Sequence, residues 1–420
     1  VKAVSIIAAT FHGNRGAEAM LSTTIGVLAE RHGSDLRYEV FSYYPTADRQ
    51  LVDDPRVRIH SSTPAHLVLV LFPGALLHRL FSLLRWKGPQ RWLPASVRAL
   101  AGSRVHLCLA GVSFIDGRAK FLPFNIATIW PAMVLGVPVV KLSQAMGPFR
   151  TWPNRPLARL FLGGCRFVNT RGDVTQHHLE GLLGGSGAYG RSDDVAFLFE
   201  ERFCISRPAV GLEPPLERLQ DLRAQGRLII GVCPSVVIAR RAVAEGRDYP
   251  GWIAGLIAEL VARGHGVALY PNATRDLEET RLHNNDLPLL REILTRLDPA
   301  VATSVVGFEG SWNAAQIHRI LAACDVHAVS RFHAMVGSLV AGVPVLVLGW
   351  SHKYLEVMER FQQSEMVFDG SDLDLPRTLA QIERLVTERQ ERHARIVAAL
   401  PAVRALARVQ FDGVSALIGP

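Results

Sequence analysis

Two residues with matched chemistry stand two positions apart: Arg331 and His333, in Ser330-Arg331-Phe332-His333-Ala334. The preceding run, Val326 to Val329, reads as a buried strand, and a helical pattern begins inside the segment. Both side chains are therefore expected at a helix N-terminus, where unpaired amides and the helix dipole favour an anion. Arginine supplies a fixed cation, and histidine a proton that titrates near neutral pH. The pair suits an anionic substrate whose reaction moves a proton; the alternative is a structural histidine at a helix cap. Lys353, in the segment Gly-Trp-Ser-His-Lys-Tyr, is either a further cation for that anion or a solvated lysine.

Five more segments follow apolar strand-like runs. In His12-Gly13-Asn14-Arg15-Gly16-Ala17-Glu18, the glycines permit a tight turn and close backbone approach. Asn14 and Glu18 can hold a hydroxyl or cap the helix. The spacing is not GxGxxG, so this is no dinucleotide fingerprint. Asp116, in GVSFIDGR, is a general acid/base candidate or a turn cap. Gln144, in SQAMGPF, can orient a hydroxyl or carboxylate. Arg171, in Asn169-Thr170-Arg171-Gly172-Asp173, can clamp phosphate or carboxylate through two parallel bonds, or meet Asp173 on the surface. Glu309, in GFEGSW, can hold a sugar hydroxyl.

These segments need a frame that gathers strand ends. The first half alternates strand and helix patterns: strands at 4–9, 37–42, 57–60, 105–110, 138–142, 167–169 and VAFLFE, with 184–194 a loop. The second half repeats the style, with strands at 227–232, 267–270, 301–306, 326–329 and 343–348 and a closing helix over 375–408. Continuous apolar strands between helices imply parallel sheets covered on both faces. The Pro-rich stretch 206–215 places a boundary near residue 210, giving domains over 1–210 and 211–420. The expected fold class is α/β, two doubly wound domains facing across a cleft, with ligands held at the strand ends.

Composition narrows the class. Of 420 residues, 49% are hydrophobic and 20% charged, which excludes a mainly disordered chain or a coiled-coil rod. Net charge is +8, yet no basic run or motif argues for nucleic acid. The five cysteines are scattered, without zinc spacing, and read as reduced buried thiols. The apolar start reads as a strand rather than a signal peptide, so the cytosol is the expected compartment. Residues 65–84 approach membrane-spanning length, but Pro73-Gly74 should break the helix into two short pieces. A core or lid helix is one reading. A patch resting on a bilayer, basic at Arg79, Arg85, Lys87 and Arg91, is the other.

Taken together, HGNRGAEA, GVSFIDGR, KLSQAMGPF, VNTRGDVTQHHL, DDVAFLFE and VSRFHAMVGSLVAGVPVLVLGWSHKY resemble the polysaccharide pyruvyl transferase family across residues 11 to 355. The resemblance implies a two-domain fold like the B-type glycosyltransferases. It implies transfer of the enolpyruvyl unit of phosphoenolpyruvate to a sugar of a cell-surface polysaccharide or glycolipid, forming a ketal and releasing phosphate. Phosphoenolpyruvate is a co-substrate, with no further cofactor and no metal. Arg331, Arg171, His333 and Lys353 would serve the donor. Asn14, Glu18, Asp116, Gln144 and Glu309 would serve the acceptor, and His333, Asp116 and Arg331 the catalysis. The chain departs from the family pattern at Leu109-Ala110-Gly111, where two glycines are usual, and at Gly172, where Glu often follows the arginine. A free or lipid-linked glycan is the expected partner, with peripheral membrane contact through 65–91 in the second case. A nucleotide-sugar glycosyltransferase and a non-catalytic glycan-binding member are the rival readings.

Overall fold

A computed structural model describes residues 2–275, 284–349, 352–369 and 373–419. Asp276, which closes the Pro-Asn-Ala-Thr-Arg-Asp segment, and Trp350 and Ser351 lie outside the described residues. Two compact units are present, one of residues 2–11, 20–198 and 404–419, the other of residues 12–19 and 199–403.

In the first unit, eight strands form one parallel sheet: β1 (Lys2–Ile7), β2 (Leu36–Ser42), β3 (Val57–Ser61), β4 (Val105–Cys108), β5 (Val112–Ser113), β6 (Val139–Met146), β7 (Phe167–Arg171) and β8 (Tyr189–Ser192). The order is β3-β2-β1-β4-β6-β7-β8, with β5 paired to β6. Val4 on β1 pairs with Tyr38 on one side and Val105 on the other. All eight residues of β6 are buried, as a strand covered on both faces requires. The order reverses at β1/β4, so loops 8–14 and 109–118 leave the sheet at its topological switch point.

The second unit repeats the plan with β9 (Ile229–Cys233), β10 (Gly266–Leu269), β11 (Val305–Gly307), β12 (Val326–Val329), β13 (Val345–Leu348) and β14 (Val367–Phe368), in the order β11-β10-β9-β12-β13-β14. Its switch point lies between β9 and β12. Ser330 and Arg331 follow β12 directly, so the segment singled out by its chemistry emerges where this fold class binds ligands.

Several expectations are corrected. The chain does not change units once near residue 210. It does so at 11/12, 19/20, 198/199 and 403/404. Before the Pro-rich stretch begins, the Phe199 ring already lies 5.9 Å from that of His318, and Glu201 already bonds His318 at 2.9 Å. The last handover falls inside the helix Arg389–Ile418, just after Pro401, which the helix carries without ending. That helix is separate from Leu375–Thr387, whereas one continuous helix was expected. Tyr189–Ser192 is a strand in a stretch expected to be a loop. Val195–Leu198, expected as a strand, is a 3-10 turn because the Asp194 carboxylate accepts the Ala196 N–H and folds the backbone over.

The helix is not broken at Pro73 either. It runs helically from Pro64 to Leu83, with a π turn at Leu67–Leu71 just before the proline. The wider turn accommodates a residue that has no N–H to donate.

Candidate active site

The second unit builds the better-defined site. Arg331 caps the helix Phe332–Val340 in extended conformation, so its side chain and the first helical amides leave the sheet together. Its guanidinium is gripped from one side. Nε donates to Asp286 Oδ2 at 2.9 Å, Nη2 donates to Asp286 Oδ1, and Nη1 donates to Asn284 Oδ1 at 2.6 Å. Asp286 is fully buried, and its two oxygens also accept the Val236 and Ala273 N–H groups at 3.0 Å. Burial disfavours the Arg331 charge, but Asp286 outweighs it and holds the guanidinium firmly protonated, above its ordinary range. These bonds occupy three of the five guanidinium N–H groups. Arg331 is thus a cation fixed in place before any ligand arrives.

His333 sits two residues further, in the first turn of the helix. It meets the backbone of Gly16, and its ring lies edge-on to Phe332 at 5.2 Å. Lys353 is close to the same aromatic, its ammonium 4.9 Å from the Phe332 ring centre and 5.4 Å from that of Tyr354. Arg331, His333 and Lys353 are therefore gathered around Phe332, two cations and an imidazole at one helix start.

The segment 12–19 belongs to this same unit. The Thr274 N–H donates to Gly13 O at 3.0 Å, and the Arg15 N–H to Asn272 O at 3.2 Å, which ties the segment to the loop after β10. Asn14 caps the helix Arg15–His32, its Oδ1 accepting the amides of Gly16 and Ala17. Glu18 needs correction as an acceptor-binding residue. It is fully buried, paired with Arg15 at 2.5 Å and bonded by the Ser206 hydroxyl, so it has no surface to offer a sugar. Burial pushes its carboxyl above the usual range, against the pull of Arg15. Glu309 lies exposed in an ion pair with Arg291 at 3.1 Å.

The first unit holds the remaining candidates. The Asp116 carboxylate accepts the Arg150 and Thr151 N–H groups at 2.7 and 3.4 Å, the Thr151 hydroxyl at 2.7 Å and the Asn154 amide at 2.8 Å. Partial burial raises its pKa, but the four bonds prevail and hold the carboxyl below the usual range. It is an ionised cap with one oxygen, Oδ2, lightly engaged. Gln144 is fully buried. Its Oε1 accepts from Ser113 at 2.7 Å, and its Nε2 donates to Cys108 O at 2.6 Å. It ties β6 to its neighbours and cannot touch an acceptor, a second correction.

Arg171 also turns inward. Nη1 pairs with Asp194 at 2.6 Å and Nη2 donates to Gly111 O at 3.0 Å. Asp173, its expected surface partner, instead meets Arg191 at 2.9 Å. Gly172 between them has φ 88° and ψ 167°, a backbone region essentially reserved for glycine, which explains why no glutamate stands there. Arg171 is a buried latch on the loop after β4 rather than an open phosphate clamp.

Reading the sequence missed Asp286, Asn284 and Asp194. Polar residues in loops far along the chain carry no mark of an arginine partner; Asp194 stood in the segment DDVAFLFE without a role assigned to it.

Similarity to known proteins agrees with the two-domain fold. In fold, the chain is similar to S. aureus MnaA in complex with UDP (TM-score 0.56, 10% identity, covering 95% of this chain and 91% of that one). It is also similar to a UDP-GlcNAc 2-epimerase from Neisseria meningitidis bound to UDP-GlcNAc (TM-score 0.53, 13% identity, 99% of each chain). A UDP-forming α,α-trehalose-phosphate synthase from Burkholderia xenovorans is a third (TM-score 0.53, 10% identity, 100% of this chain and 99% of that one). At such identities the likeness establishes the fold alone: two parallel-sheet α/β domains of the B-type glycosyltransferase class. No curated protein matches in sequence. The family model for polysaccharide pyruvyl transferase matches residues 14–352, from the helix cap Asn14 to the segment past Arg331 and His333, and the chain belongs to that family.

Proposed function

We propose that the protein transfers the pyruvyl unit of phosphoenolpyruvate to two hydroxyls of a sugar in a cell-surface polysaccharide or glycolipid, on the cytoplasmic side of the membrane. The observation that carries this reading is the family match over residues 14–352, together with the cation and imidazole at the start of helix Phe332–Val340.

The chemistry asks for an anion site and a proton carrier. Phosphoenolpyruvate brings a phosphate and a carboxylate. Arg331, held rigid by Asp286, and Lys353 meet that charge, with the amides at the helix start. A proton adds to the methylene carbon and makes it a methyl group, while positive character develops at C2. One sugar hydroxyl bonds to C2 and loses its proton. The second hydroxyl then bonds to C2 as the C2–O bond to phosphate breaks, and phosphate leaves with the electron pair and that hydroxyl's proton. Two hydroxyl protons are lost, one replaced at the methyl group and one on phosphate, so the balance closes. His333 is assigned the proton transfers. Asp116, ionised by its four bonds, is suited to orient or deprotonate a hydroxyl. Arg171 acts as a positioning residue, through Asp194 and the loop at Gly111.

The fold neighbours' nucleotide sugars give the second reading, a nucleotide-sugar transferase on the same architecture. Phosphate release from phosphoenolpyruvate, followed with and without free and lipid-linked glycans, separates the two. Acceptor-dependent phosphate with a product heavier by pyruvate less water supports ketal formation. Binding of a nucleotide sugar without any binding of phosphoenolpyruvate would replace it with the second reading.

A further inference from the structure

Between Asp54 and Asp116 the chain contains no acidic residue but eight arginines and lysines. Those eight equal the net charge of the whole protein, +8, so the rest of the chain is balanced and the excess is concentrated here. Of the eight, all but Arg56 are exposed, and Arg79, Arg85, Lys87 and Arg91 stand on or just after the apolar helix Pro64–Leu83.

The same stretch carries the helix Pro64–Leu83, the one described helix long and apolar enough to cross a membrane by length and composition. It does not stand free. Leu67, Leu71 and Ala75 are buried, Phe72 packs on Trp130 at 4.3 Å, and a Cβ at Gly74 would press on Val97. One side is thus committed to its own unit along the helix, which a helix ringed by lipid could not be. The opposite side shows Leu69 (73% exposed), Leu76, Leu80 and Leu83 (68%), spaced as one helical stripe. Trp86 and Trp92 (80%) follow at its end. Of 22 large hydrophobic side chains exposed among the described residues, nine fall within 68–92, far more than scattered exposure would place there.

We propose that residues 64–92 seat the protein on an anionic lipid bilayer, with the helix lying in the plane of the surface. The leucine stripe enters the acyl boundary, Trp86 and Trp92 take the headgroup level, and the exposed cations meet lipid phosphates. Charge decides against a second copy as the occupant. A symmetric dimer would bring this acid-free cationic face against itself. The proposal does not depend on the reaction the protein catalyses.

Cosedimentation with vesicles tests it. The full chain should sediment with phosphatidylcholine vesicles containing phosphatidylglycerol, and added salt should release it. Vesicles of phosphatidylcholine alone should retain far less. R79Q/R85Q/K87Q/R91Q should weaken binding by nearly three orders of magnitude, since each of the four cations near an anionic surface contributes about fivefold. L69D/L83D should weaken it at least ~10-fold. Both variants alter only exposed positions, and unchanged circular dichroism would confirm the fold. Alkaline carbonate should strip the protein from membranes. No binding to the phosphatidylglycerol vesicles, binding indifferent to both variants, or retention after carbonate would overturn the proposal. So would a lipid-free dimer that L69D/L83D dissociates.

Discussion

Gly16 and His333, 317 positions apart in the chain, are in backbone-to-ring contact: a Cβ built at Gly16 would overlap the imidazole at Cγ and Nδ1. The missing side chain of one residue is the space that the other occupies. Gly16 opens the helix Arg15–His32, and that start is fixed by Asn14 and by the bonds of segment 12–19 to the loop after β10. The imidazole is therefore positioned by a helix remote in sequence.

Gly16→Ala should move His333 without touching substrate. Phosphate release is expected to fall at least ~10-fold, approaching the loss of about 10²–10⁴ expected for His333→Ala. Overpacking should cost about 1–3 kcal/mol of stability. The His333 ring resonances, followed by NMR in both proteins, report the displacement itself. Unshifted resonances in Gly16→Ala would disprove the positioning role.

Asp286 holds Arg331 through two of its guanidinium nitrogens and also receives two backbone amides. Asp286→Ala leaves a buried cation without its counter-charge, which costs about 3–5 kcal/mol. Thermal or urea unfolding measures this. Arg331→Ala should in addition weaken phosphoenolpyruvate binding, seen by calorimetry at a temperature where the variant is folded.

Glu18 gives a pH signature. Burial raises its folded pKa above the unfolded value near 4.5, so the folded state holds this proton more tightly. Its contribution to stability is then greatest below the unfolded value and declines as pH rises through the folded one. Glu18→Gln should remove that decline. Urea midpoints across mildly acidic to neutral pH, compared between the two proteins, check the slope.

Asp116 has the opposite sign. Its hydrogen bonds depress the folded pKa below the unfolded value near 3.8, so its stabilisation is present above that value and is lost as pH falls through the folded one. Asp116→Ala should cost of the order of 1 kcal/mol at neutral pH, because the site is only partly buried, and should flatten the acid limb of the stability curve. A larger effect on turnover than on stability would place the carboxylate at the acceptor hydroxyl.

Much of the fold was legible because burial on both faces of a parallel sheet writes itself as mainly apolar runs, uninterrupted in Val345–Leu348 and broken only by Ser5 in Val4–Ile7 and by His327 in Val326–Val329. The segment Ser330–His333 was legible for a related reason: polar chemistry directly after such a run must emerge at the strand's C-terminal end. What the sequence could not convey was partnership. Arg171 and Arg331 look alike in the chain, each an arginine after a strand, yet Asp194 and Asp286 each claim one. Glu18 and Gln144 look like hydroxyl binders, yet both face inward to close buried hydrogen bonds. The unit boundary was equally hidden, since the helices Arg15–His32 and Arg389–Ile418 continue across the handovers, the second straight through Pro401. Local pattern determines which segments form strands and helices. Which charges meet, and so which remain for a ligand, is decided by contacts between residues remote in sequence, and these exist only after the chain has folded.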